Sequence, residues 1–117
     1  MTMPSIPKPE IDETVYEFLE MFRQRPGIYL GSPELVRLDS FLSGYQLALS
    51  RHGLAFRAAS PDFTDFRDWI AARLGCSNST AGWYHLIRSH SASEREALQR
   101  FYEFLDQFRA CGGLHVA

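Results

Sequence analysis

Four histidines, two cysteines and fourteen acidic residues are the groups in this 117-residue chain best suited to chemistry. His85 and His90 stand five apart, whereas two ligands on one helical face need a spacing of three or four. No carboxylate is placed to complete a metal site with them. His52 lies beside Gly53 at a helix stop, where a histidine suits the negative helix end, and His115 falls in the C-terminal tail. Cys76 and Cys111 show no metal-type spacing and read as two free thiols of a reducing compartment. Cys76 precedes a polar "SNST" run and so reads as exposed. A nucleophile there would need a base and an orienting group, whose proximity a sequence does not disclose. With no serine elbow, phosphate loop or zinc signature in the chain, no enzymatic activity, metal or cofactor is expected.

The carboxylates are more suggestive. Residues 10–20 hold Glu10, Asp12, Glu13, Glu17 and Glu20 with no base among them, and Asp62, Asp65 and Asp68 recur at every third position. Acids favour solvated faces and first helical turns in any case. The sharper reading makes Glu13, Glu17 and Glu20 with Asp62, Asp65 and Asp68 a partner-binding surface that steers a basic protein onto the chain. Arg67, Arg73 and the arginines of the last helix keep that field local.

"RPGIYLGS" (25–32) brings Arg25, Tyr29 and Ser32 together with a helix start, the ingredients of an anion or ligand loop. The plainer reading is a type II turn centred on Pro26-Gly27, with Ile28, Tyr29 and Leu30 packed into the core. These eight residues also resemble "RPGMYIGS" of the type II topoisomerase and gyrase B ATPase domains. That fold needs an Asp-x-Gly-x-Gly adenine site and further glycine-rich loops, and neither occurs here.

These residues must be held by a small helical scaffold. The chain is one domain's length, and 45% hydrophobic and 14% aromatic residues suffice for one core. A net charge of −2 and a pI near 6.0 argue against nucleic acid as partner. No apolar run reaches membrane-spanning length, and the opening residues lack a signal peptide's apolar core, so a cytoplasmic location is expected. Pro4, Pro7 and Pro9 mark residues 1–9 as a flexible lead-in.

Apolar residues at helical spacing then predict about five helices. The first runs over 10–25 and stops before Pro26. The second takes Ser32 as N-cap with Pro33 at its first position, carries Leu35, Leu38 and Leu42, and stops at Gly53. The third starts at Ser60-Pro61 and carries Phe66 and Ile70, and a short fourth holds Trp83, Leu86 and Ile87. The last opens on a Ser91-x-x-Glu94 capping box and carries Leu98, Phe101, Leu105 and Phe108 to Gly112. The expectation is an all-α, bundle-like single domain over 10–113, with short extended pieces at 27–30, 54–57 and 114–117. Tyr84, Tyr102 and Phe104 fall beside the main stripes and read as anchors for a partner or a second copy.

The order "RPGIYLG", "LDSFLSGY", "FRDWI", "GWYHLI", "ALQRFYEFLDQF" resembles small bacterial immunity-type proteins of polymorphic toxin systems. Their shape is Arg-Pro-x-Met-Tyr-x-Gly, a Phe-x-x-Gly-Tyr helix, a Trp-bearing middle and a Phe-rich final helix, with Ile28 here in place of Met. The resemblance covers roughly residues 20–108. It implies a binding protein that neutralises a cognate toxin and has no activity of its own, and it carries over no functional residues. The alternatives are a self-associating helical protein, such as a homodimer, and a small anion or nucleotide binder using the Arg25–Ser32 loop.

Overall fold

The structure, a computed structural model, describes residues 9–113, so the expected tail piece at 114–117 and all of the lead-in except Pro9 lie outside it. It is all-α, with six helices: α1 (Val15–Gln24), α2 (Pro26–Leu30), α3 (Leu35–Arg51), α4 (Phe66–Arg73), α5 (Trp83–Ser89) and α6 (Glu94–Ala110). A 3₁₀ turn, Phe63–Asp65, leads into α4.

The first helix starts later than its apolar stripe suggests. Thr14 takes extended geometry and its Oγ1 accepts the Glu17 N–H, so Thr14 is the N-cap and α1 begins at Val15. The chain before it is extended and pairs in parallel with the 54–57 piece. Ile11 N–H donates to the Ala55 carbonyl (2.9 Å), Ala55 N–H to Pro9 (3.0 Å) and Arg57 N–H to Glu13 (2.8 Å). These bonds satisfy part of the backbone of both segments without a helix.

At 27–30 the expected extended piece is a short helix instead. Pro26 sits at the first helical position, where its missing N–H costs nothing, and the Arg25 carbonyl accepts from Ile28 and Tyr29. Gly27 does not adopt positive φ, so no type II turn forms. Gly31, at φ 77°, ends α2 in a geometry that suits glycine. Leu30 is buried as expected, whereas Ile28 and Tyr29 face solvent.

Three helix starts lie two residues beyond their expected positions. Glu34 rather than Ser32 precedes α3, and Asp62 rather than Ser60 caps the turn into α4 through Thr64 N–H (3.0 Å). Ser93 rather than Ser91 caps α6: its Oγ accepts Glu96 N–H (3.1 Å) while Glu96 reaches back to Ala92 N–H (2.7 Å). The capping box is therefore Ser93-x-x-Glu96, which leaves Glu94 free for another task.

One core joins all six helices. Its largest enclosed side chains are Phe22, Phe66, Phe101 and Phe108, each wholly shielded from solvent. Phe66 meets Phe108 at 5.3 Å and Phe101 at 5.6 Å between ring centroids, edge to face, and Trp83 covers Phe101 at 4.9 Å. Tyr102, expected beside the stripe, is buried, and its hydroxyl donates to the Leu19 carbonyl (2.7 Å). Burial raises its pKa. Tyr84 and Phe104 are half-buried rather than exposed.

Candidate functional site

The acidic run of residues 10–20 meets arginines that lie outside it in sequence. Arg57 bonds both Glu17 (2.6 Å) and Asp12 (3.1 Å). Glu20 lies 3.7 Å from Arg23, whose guanidinium also forks onto Asp106 at 2.8 and 2.6 Å. The Arg23 hydrogen bonds hold the Asp106 carboxyl below the usual range. Glu13 accepts the Tyr45 hydroxyl at 3.3 Å. Of the second set, Asp62 accepts both the N–H and the hydroxyl of Thr64, which lowers its pKa. Asp68 pairs with Arg67 (2.7 Å), and Asp65 sits half-buried at the head of α4. Exposed pairs like these add little stability. They also offset charge that would otherwise steer a basic partner.

The loop candidates do not converge either. Arg25 and Tyr29 are exposed and Ser32 is half-buried. Tyr29 lines a groove on the α3 side of the joint, whereas Pro26 and Pro33 line a cleft of about 400 Å³ against Leu98 and Arg95 of α6. Arg25 and Ser32 line neither. No group of three or more His, Cys, Asp or Glu among the described residues is arranged to hold a metal.

What fixes this region is Glu94, which carried only a capping role in the sequence. Its Oε2 accepts the Val36 N–H (3.0 Å), one of the open donors at the start of α3. Its Oε1 accepts the Tyr84 hydroxyl and Arg88 Nε (3.0 Å). Burial pushes the carboxyl up, but the bonds from Tyr84, Val36 and Arg88 outweigh it and leave Glu94 below the ordinary glutamate value. Burial and the neighbouring carboxylate together push Tyr84 up to about 12. One side chain thus ties α3, α5 and α6 together.

That anchor leaves an apolar face open on α2 and α3. Ile28 is 70% exposed, Leu47 60%, Phe41 47%, Tyr29 42% and Val36 38%. Tyr29, Leu30, Val36, Ser40 and Phe41 line a shallow groove of about 470 Å³, with Arg37 as its charged member. Leu47 lies seven residues beyond Ser40, hence two turns further along the same side of α3. Phe41 and Tyr29 rest their inner edges on buried Phe22, at 4.9 and 5.7 Å. From residue 40 to residue 50 the helix carries no charged side chain. An exposed apolar face of this kind is the usual mark of an interaction surface.

Fold and surface together define an all-α domain with an open apolar face on α2 and α3. No helix among the described residues is long and apolar enough to cross a membrane. Comparison with known protein families, with curated proteins and with solved structures finds no match to this chain.

Proposed function

We propose that this chain is a non-catalytic, cytoplasmic protein-binding module, an immunity-type inhibitor that covers a bacterial toxin. The observation that carries the binding role is the exposed apolar face of Tyr29, Val36, Phe41 and Leu47, beside a stretch of α3, residues 40 to 50, that has no charged side chain. Aromatic and aliphatic anchors in the centre of an interface supply most of its affinity. The motif order supports the inhibitor class. The acidic residues Glu13, Glu17, Glu20, Asp62, Asp65 and Asp68 add a smaller effect on association rate, through the charge that arginine pairing leaves unopposed.

The test is purification of the tagged chain from its native host, followed by binding measurements on the partner recovered. The reading requires a one-to-one complex with a toxin, loss of its activity on binding, and at least about tenfold weaker binding by Phe41→Asp. Charge reversal at Glu13, Glu17 and Glu20 should slow association and reduce its salt dependence with little change in dissociation. Recovery of only the chain's own copies, with sedimentation as a dimer that Phe41→Asp dissolves, would replace inhibition by self-association.

A further inference from the structure

We propose that Cys76 and His90 form a thiol–imidazole pair through which this chain reacts with small disulfides, becoming S-thiolated at Cys76. The pair is assembled by the ends of two helices. Cys76 follows α4, its N–H bonded to the Ala71 carbonyl (2.7 Å) and its carbonyl accepting Ser79 N–H (2.9 Å). Arg67 pins the rest of that loop by donating to the carbonyls of Ala81 (2.8 Å) and Ser79. The Cys76 backbone is therefore held in place, and the residue is half-buried.

His90 ends α5, with Nδ1 2.8 Å from the Leu86 carbonyl. A carbonyl only accepts, so Nδ1 carries a proton and Nε2 is left with its lone pair. Nε2 lies 4.0 Å from Cys76 Sγ. The Leu74 carbonyl lies nearer, at 3.5 Å, and competes for the thiol proton as a hydrogen-bond acceptor. Of these two partners, only the imidazole can remove that proton. Base, orienting carbonyl and nucleophile are the three parts that thiol activation needs.

In the reaction the Cys76 thiol proton passes to His90 Nε2 and the thiolate attacks one sulfur of the disulfide. The reagent's S–S bond breaks as the new Cys76 S–S bond forms. The released thiolate takes the proton from His90, so one protein thiol is oxidised and half of the reagent is reduced to a thiol.

Cys111 is an internal comparator. It is also half-buried, but the hydrogen-bond partners of its sulfur among the described residues are carbonyls alone, of Phe108 (3.4 Å) and Gly113 (3.7 Å). The full chain is treated with dithiodipyridine, and the rate at each cysteine is read by peptide mass spectrometry. Cys76 should react at least about tenfold faster than Cys111. His90→Gln should bring Cys76 within about twofold of Cys111, with the circular-dichroism melt retained. His90→Asn, which keeps a donor near the Leu86 carbonyl but no base, should do the same and stands in if His90→Gln does not fold. Rates within about twofold of each other in the unaltered chain overturn the pairing, whatever the variants do. So does a folded His90 variant whose Cys76 rate is unchanged.

Discussion

The aromatic cluster of α4–α6 and the open face of α2–α3 use the same kinds of residue and differ in what covers them. Phe66, Phe101 and Phe108 are wholly enclosed, each packed edge-on against another ring. Phe41 and Tyr29 pack one edge on Phe22, with Phe18 also beside Phe41, and turn much of their surface outward. Apolar type alone therefore does not set a residue's role; the number of elements folded over it does. In the first region aromatic area is converted into stability, while in the second it remains available to a partner.

The largest test removes a ring from the covered cluster. Phe101→Ala should cost about 3–5 kcal/mol, because it deletes buried area and leaves a cavity among Phe66, Trp83 and Tyr102. Urea denaturation measures it. Phe41→Ala should cost about 1 kcal/mol, as expected for a half-exposed side chain. Equal losses at the two positions would mean that the α2–α3 face carries core stability and is not spare surface.

Next comes the side chain that links the two regions. Glu94→Ala should cost about 2–3 kcal/mol, since the Val36 N–H, the Tyr84 hydroxyl and Arg88 all lose their acceptor. Glu94→Gln keeps the volume and one acceptor oxygen and should cost less. The same carboxyl sets an acid limb. Its folded pKa is depressed, as is that of Asp106, so between the folded and unfolded values the unfolded chain binds more protons. Their contribution is full above the unfolded values of about 4 and is lost as pH falls through the lower folded ones. Glu94→Gln should flatten the fall in stability below about pH 4; an unchanged limb would remove Glu94 from its cause.

Tyr102→Phe sharpens the covered side at finer scale. It removes the hydroxyl bonded to the Leu19 carbonyl while keeping the ring, and should cost about 1 kcal/mol in the same urea titration. No loss would show that the ring packing alone holds α6 against α1.

The covered region was legible in the sequence, because residues such as Phe66, Ile70, Leu98 and Phe101 recur at helical spacing and each stripe is buried. The helix starts were less so, and the reason is physical. Around residues 32, 60 and 91 the chain offers several adjacent capping residues, and contacts distant in sequence choose among them. Glu94 is drawn to α3, so the box forms at Ser93 and Glu96. The acidic run looked unopposed because Arg57 is forty residues from Glu17 in sequence. The open face was hidden behind the stripe Leu35, Leu38, Leu42 on the same helix. Its one signal was the lack of charge between Asp39 and Arg51, which a search for buried stripes passes over. Cys76 and His90 meet only because the 76–82 loop folds α5 back on α4, which no spacing rule reports.

The smallest expected effect on stability is the sharpest probe of the open side. Leu47 is 60% exposed, so Leu47→Ser removes little buried area and should shift the urea midpoint by no more than about 0.5 kcal/mol in free energy. Combined with Phe41→Ser it should nonetheless weaken partner binding far more than it weakens the fold, because an interface centre loses two anchors at once. A double variant that binds as tightly as the parent would move the interface off α3. Exposed Ile28 and Tyr29 of α2 would then be the next to test, Tyr29 because it borders the same groove.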